Sequence, residues 1–274
     1  MDAAGFWVRL LATPLLLIVL TWYGARRGAR AAGIWAAFPV VTGPILGILA
    51  YQHGTDLVVA LLDFTLPAIL ANLAFGLAFA WGTTRRPAGG SAALQCLALG
   101  LLAYAGIAAL IVALQPPVLL SACLVALSLW WAPRAYPRAQ EDVPLPVVTS
   151  SAIYWQKACT GGVVVVLVTY GTEAVGHRWG GVLAMFPAMA SVMATYYHGH
   201  DGGLSRHFLR GMPKGYWSFA AFCLSLQGLL ALWGAQGRLA TGCACGGALA
   251  IALGVQWGLV WRADPDRATD PRGR

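Results

Sequence analysis

Charge is what this chain has least of. Asp, Glu, Lys and Arg make up 10% of its 274 residues, against about 25% in an ordinary soluble domain. No stretch carries enough charge to solvate the outside of a water-soluble domain. Lysine is nearly missing, with only Lys157 and Lys214 among the 18 basic residues. The formal charge of +8 therefore rests on arginines, and these lie in short loops between apolar blocks. Binding nucleic acid needs a basic face on a folded surface, and the loops offer none, so nucleic acid is excluded as a partner. Scarce Lys beside abundant Arg, Ala, Gly and Trp points to a GC-rich bacterial genome.

Catalytic signatures are missing too. There is no phosphate-cradling glycine loop, no His-Glu-x-x-His and no pair of acidic clusters. Glycine pairs such as Gly180-Gly181 and Gly246-Gly247 sit in apolar blocks, where small residues serve helix contact. The six cysteines lie in or beside the same blocks and read as small hydrophobes. Cys243-Ala244-Cys245 is too tight for a zinc motif. No metal and no cofactor is expected. A cleavable signal peptide is not expected either, because Arg26, Arg27 and Arg30 follow the first apolar block instead of preceding it.

What remains is hydrophobic. Apolar residues make up 59% of the chain, in blocks long enough to cross a bilayer, which takes roughly 20 apolar residues each. The expected fold is an all-α polytopic membrane protein with about nine transmembrane helices: 7–24, 31–51, 57–82, 92–114, 117–132, 151–172, 178–197, 213–234 and 239–261. The fifth is short and follows Gln115-Pro116-Pro117, so it could be re-entrant. Charge bears on it. With nine spans and Lys157 left out because it lies just inside span six, one side holds Arg26, Arg27, Arg30, Arg85, Arg86, Arg134, Arg138, Arg206, Arg210, Lys214, Arg262, Arg267, Arg272 and Arg274, and the other Arg9, Arg178 and Arg238, a split of 14 to 3. If the fifth block did not cross, the split would be 7 to 10. The positive-inside rule favours nine, with the N-terminus outside and the C-terminus cytoplasmic.

The chain also repeats itself. Thr21, Gly28, Arg30, Gly33, Ala36, Phe38 and Pro39 recur 148 residues later as Thr169, Gly176, Arg178, Gly181, Ala184, Phe186 and Pro187. His53-Gly54-Thr55-Asp56 is echoed by His198-Gly199-His200-Asp201, and Pro67 by Pro213. Spans one to four (1–115) make a first unit and spans six to nine (151–262) a second. One helix and a proline-rich connector (116–150) lie between, so the units should run in opposite directions as inverted-topology repeats. Residues 263–274 read as a disordered cytoplasmic tail.

Candidate residues follow from this arrangement. Pro39 and Pro187 fall inside spans two and seven. A proline removes a helical hydrogen bond and frees a carbonyl four residues earlier, at Trp35 and Leu183. Irregular backbone at membrane depth is tolerated only where it is buried or lines a cavity, and paired breaks mark binding sites in inverted-repeat transporters. Phe38, Pro39, Thr42, Asp63, Phe186, Pro187 and Ser191 are therefore candidates for substrate binding. The competing reading is a kink that lets small residues pack closely. Asp63 lies seven residues into span three, where a carboxylate costs on the order of 3 kcal/mol and usually serves function. Asp63, Glu173, His53, Asp56, His198 and Asp201 are candidates for ion or proton coupling. Glu173 could instead pair with a cation at the interface. In the His-Gly-x-Asp motifs a structural role is favoured, with Gly54 and Gly199 closing helices at positive φ and Asp56 capping span three. Residues 203–212 could form a short interfacial helix or a solvated basic loop.

The stretch Ala32-Gly33-Ile34-Trp35-Ala36-Ala37-Phe38-Pro39-Val40-Val41-Thr42-Gly43-Pro44, followed by Gln52-His53-Gly54, resembles the uncharacterised GlpM-like families of small bacterial inner-membrane proteins. The likeness covers mainly spans two to four. It implies a bacterial cytoplasmic-membrane protein and no particular activity.

The reading that combines these features is a transporter or channel for a small solute, with its site between the two breaks and the lipid bilayer as its other partner. A homo-oligomer is compatible with it. The alternative is an integral-membrane enzyme or accessory factor acting on a lipid or cell-envelope intermediate through His and Asp residues. His200, His207 and Arg210 occur only in the second half, the asymmetry a catalytic site would have.

Overall fold

A computed structural model describes residues 26–38, 54–138, 176–183, 185–233 and 238–261, together with Leu15, Ile18, Val19, Trp22, Tyr23 and Leu46. Among them α-helix is the dominant regular structure and no strand occurs. The helices are α1 (Ala29–Ala36), α2 (Thr55–Thr65), α3 (Ala68–Arg85), α4 (Gly90–Leu114), α5 (Val118–Ala135), α6 (Gly176–Leu183), α7 (Ala188–His200), α8 (Gly202–Trp233) and α9 (Arg238–Trp261). A bilayer leaves little choice, because backbone polar groups facing lipid must be satisfied within their own segment. Ends fall where local chemistry dictates. Gln115 turns left-handed at φ 45° and bonds back to Ile111, and Pro116-Pro117 then prevents α4 from continuing.

Five helical stretches are long and apolar enough to cross a membrane: Thr55–Arg85, Gly90–Leu114, Val118–Ala135, Gly202–Leu232 and Thr241–Leu259. The chain is a membrane protein with several such helices. The short fifth block is one of them, a helix of 18 residues. Span six, span one apart from Leu15, Ile18, Val19, Trp22 and Tyr23, and the span-two residues after Phe38 apart from Leu46 lie outside the described residues, as do the connector after Arg138 and the tail.

Three local expectations are corrected. Residues 203–212 are neither a separate interfacial helix nor a loop. They form the first third of α8, which runs unbroken through Pro213. Gly199 is an ordinary residue of α7 without positive φ, because the helix continues to His200. Gly54 has φ 90° as expected and is the N-cap of α2, while the residues before it lie outside the described ones, and Asp56 makes no side-chain cap there. Asp56 still sits in the first turn, where a carboxylate is favoured by the helix dipole.

The packing centres on α8, which touches α1, α2, α3, α5, α7 and α9. Lipid tails are as apolar as Leu, so helices associate through close contact rather than through hydrophobic burial. Glycine makes that contact possible at two crossings. A Cβ at Gly33 of α1 would overlap the Phe208 carbonyl of α8. At Gly181 of α6 it would lie 2.7 Å from Phe64 Cβ and 2.9 Å from the Leu61 carbonyl of α2. On the outside, Leu102, Leu119, Leu232 and Trp257 are exposed, as lipid-facing side chains are.

One end of the bundle gathers several helix termini. Trp81 Nε1 donates to the Ala135 carbonyl at 3.1 Å, joining the ends of α3 and α5. The Gly89 amide donates to the His198 carbonyl at 3.3 Å, adding the end of α7. The starts of α1 and α8 meet at Arg30 and Gly211. This end carries Arg30, Arg85, Arg86, Arg134, Arg138, Arg206, Arg210 and Lys214, against Asp201 alone of the described acids.

Candidate functional site, the helix break at Phe186-Pro187

The break in the second half falls where the sequence places it. Helix α6 ends at Leu183 and α7 begins at Ala188. Pro187 is N-cap of α7 at φ −75°, ψ 49°. The chain tightens first, with Met185 N–H donating to Val182 at 3.0 Å and Phe186 N–H to Leu183 at 2.9 Å. The carbonyl expected to be free, Leu183, is therefore taken by a short turn. In the first half, Phe38 N–H donates in the same way to Trp35 at 3.1 Å, and Pro39 lies outside the described residues.

Other carbonyls around the break need partners, and side chains supply them. Thr65 Oγ1 shares its one proton between the Leu61 carbonyl at 2.8 Å and the Gly181 carbonyl at 3.3 Å. Tyr104 OH donates to Val182 at 2.8 Å. Asn72 Nδ2 donates to Met185 at 2.8 Å, and Asn72 Oδ1 accepts from Tyr216 OH at 3.1 Å. Helices α2, α4, α3 and α8 thus converge on a single irregular segment. Phe186 meets Tyr104 edge to face at 5.6 Å. In the first half, Gln256 Nε2 donates to the Ile34 carbonyl at 3.1 Å, and Ser218 Oγ donates to Gln256 Oε1 at 2.7 Å.

Past the break, one face of α7 behaves differently. Ser191, Thr195 and His198 stand at i, i+4 and i+7 and share a face. Ser191 Oγ, Thr195 Oγ1 and both ring nitrogens of His198 are buried and have no hydrogen-bond partner among the described residues. Buried polar groups are nearly always paired, so each such orphan calls for an explanation. The row runs from the break toward the basic end. There Arg206 Nη1 reaches Thr83 Oγ1 at 3.3 Å while its Nε is also unpartnered. His198 lies just beyond the apolar stretch of span seven. Burial, reinforced by the Arg206 charge and opposed by Asp201, holds its imidazole below the usual histidine range. Asp201 is not on the face of His198. It leaves the helix in an extended conformation and accepts from the Gly203 amide at 2.6 Å, capping α8.

Asp63 is half-buried on α2 and accepts a hydrogen bond from Gln227 Nε2 of α8 at 2.8 Å. It faces protein at Gln227 and takes no part in the hydrogen bonds given above for the Phe186-Pro187 segment. Asp56 is exposed. Phe38 is half-buried and meets Trp35 edge to face at 5.9 Å. Thr42, His53 and Glu173 lie outside the described residues. No group of three His, Cys, Asp or Glu able to hold a metal is found among the described residues.

Sequence reasoning missed Asn72, Tyr104, Thr195, Tyr216 and Gln256. It weighted ionisable residues and prolines. An uncharged amide inside an apolar block, as at Asn72 and Gln256, is a comparable signal, because it too must find a partner in the bilayer. Comparison with protein-family models, curated proteins and solved structures finds no match to this chain.

Proposed function

We propose that this protein is a transporter or channel for a small polar solute in a bacterial inner membrane, N-terminus outside, built from units 1–115 and 151–262 of opposite topology. The observation that carries the reading is the row Ser191, Thr195 and His198. Its buried, unpartnered polar atoms lead away from a helix break deep in the chain's apolar part. A polar solute, or water moving with it, supplies the hydrogen bonds such a row needs.

The two-unit arrangement draws support from reciprocal contacts. Gly33 and Gly181 are equivalent in the repeat, and each abuts the helix that begins the span after the broken one in the other unit, α8 for Gly33 and α2 for Gly181. Ile34 and Val182 are equivalent too, and each carbonyl accepts from a side chain of the last helix of the other unit, Gln256 in one case and Tyr104 in the other. In a two-fold arrangement contacts recur in this exchanged form. Rocking of one unit against the other would open the breaks in turn. Asp63, held by Gln227 across α2 and α8, is the group for coupling or recognition. The GlpM-like resemblance supports the membrane assignment only.

Proteoliposomes subjected to osmotic shock with glycerol, urea or amino acids, and loaded with a pH dye for protons, test this directly. Protein-dependent flux of at least one probe is expected, with the double variant Ser191→Val and Thr195→Val slowing it about tenfold. Absence of flux for every probe, together with chemical conversion of an added lipid or envelope precursor seen by mass spectrometry, would replace transport with the enzymatic reading.

A further inference from the structure

We infer that Arg30, Arg210, Lys214 and Arg138 form a binding site for a phosphate-bearing anionic group at the basic end of the bundle. The placement begins with glycines. Arg206, Arg210 and Lys214 stand at i, i+4 and i+8 along α8 and form one row. Gly211 and Gly215 lie beside that row. A Cβ at Gly211 would overlap the Arg30 carbonyl, and one at Gly215 the Ile34 carbonyl. Helix α1 is therefore in backbone contact with α8, and Arg30 is brought against the row between Arg210 and Lys214. The fourth charge comes from beyond α5. Tyr136 is buried and donates through its hydroxyl to the Leu73 carbonyl at 3.2 Å, which anchors the chain two residues before Arg138. Tyr216, two residues past Lys214 on α8, donates to Asn72 beside Leu73 at 3.1 Å, so the segment that carries Arg138 and the row on α8 are tied to neighbouring residues of α3.

Four like charges from three segments are gathered at an end where Asp201 is the one acid among the described residues, and Asp201 is bonded to the Gly203 amide. None of the four makes a hydrogen bond or ion pair among the described residues. Three other cations of this end are engaged elsewhere. Arg206 is bonded to Thr83, Arg86 to Gln95, and Arg134 to the Trp130 carbonyl. Arg210 and Lys214 are half-buried, and Arg30 and Arg138 are exposed, so the group is reachable from outside while its floor is fixed. Helix α8 has 32 residues, about 48 Å at the usual rise, against roughly 30 Å of hydrocarbon. Its first third can therefore stand in the headgroup region. Three guanidinium forks and one ammonium suit phosphate oxygens, the forks by paired hydrogen bonds and the lysine as a point charge. An anionic lipid headgroup and a soluble phosphate compound share that chemistry.

The test is thermal stability of the purified full chain in neutral detergent, with added phosphatidic acid, phosphatidylglycerol or phosphatidylcholine in one arm and inorganic phosphate or pyrophosphate in the other. The parent protein should gain several degrees from a phosphate-bearing anion and nothing from phosphatidylcholine. Arg30→Gln should raise the half-saturating concentration about tenfold, and Arg210→Gln with Lys214→Gln should abolish the effect. Arg134→Gln removes the same charge from the same end and should leave it unchanged. Stabilisation by the lipids alone assigns a headgroup, and by pyrophosphate or phosphate a soluble anion. If no anion stabilises the parent, or if Arg134→Gln weakens the response as much as Arg30→Gln does, the site does not exist. Should the double variant fail to fold, the contrast between Arg30→Gln and Arg134→Gln decides alone, since both side chains are exposed.

Discussion

The side chain of Gln256 donates to the backbone carbonyl of Ile34 across 3.1 Å. Ile34 lies one turn before Phe38-Pro39, and its carbonyl would otherwise be short of a partner where α1 ends. Tyr104 does the same for Val182 at 2.8 Å, one turn before Phe186-Pro187. Two unlike side chains thus perform one task at equivalent places in the repeat. Tyr104→Phe and Gln256→Leu should each insert and fold, with a loss of roughly 0.6 kcal/mol, the average measured for hydrogen bonds between membrane helices. Thermal unfolding in detergent measures this. A loss beyond about 2 kcal/mol in either variant would mean that the break needs more than its carbonyl satisfied.

How much of this was legible beforehand depends on the residue. Pro187 and the end of α6 were readable because proline has no N–H, a local fact that no tertiary contact can undo. The breadth of the apolar blocks announced the membrane helices for the same reason. The partners of the break were not readable. Thr65, Asn72, Tyr104 and Tyr216 come from helices far apart in sequence, and their meeting depends on how α2, α3, α4 and α8 pack. Pro213 shows the limit of local rules. It matches Pro67, where the helix is interrupted at 66–67, yet it sits inside a continuous α8 because packing on all sides outweighs the missing hydrogen bond.

Asp63→Asn should separate structure from coupling. The amide keeps a carbonyl oxygen for Gln227 Nε2 and removes the negative charge. Insertion and thermal stability should match the parent, while solute flux should fall at least tenfold or lose its dependence on the ion gradient. Flux equal to that of the parent would reduce Asp63 to a polar tie between α2 and α8.

His198 gives a pH signature. Its folded-state pKa lies below the unfolded value, first because of burial and then because of Arg206. Above the unfolded value of about 6.5 the imidazole is neutral in both states and its full contribution is present. As pH falls through that value the unfolded chain takes up a proton that the folded one refuses, and stability declines. The melting temperature should therefore drop between pH 7.5 and pH 5.5, and His198→Gln should flatten that slope. A slope unchanged in the variant would transfer the effect to another group.

Topology can be read from one span. Asp56 opens α2 and is exposed, and Arg85 closes α3 and is exposed, so the two mark opposite ends of the apolar stretch Thr55–Arg85. Arg85 belongs to the end rich in cations. If that end is cytoplasmic, as the positive-inside rule requires, a cysteine at position 85 should resist a membrane-impermeant maleimide in intact cells and react once the cells are opened. Asp56→Cys should react in both. The described native cysteines interfere little, because Cys96, Cys223 and Cys245 are buried, and Cys123 and Cys243, although exposed, lie on the apolar stretches of α5 and α9, away from a water-soluble reagent. Any residual labelling is subtracted with the parent chain. Labelling of Arg85→Cys but not Asp56→Cys in intact cells would turn the molecule over. The bundle would keep its contacts, but the row from Pro187 to Arg206 would then open to the outside of the cell instead of the cytoplasm.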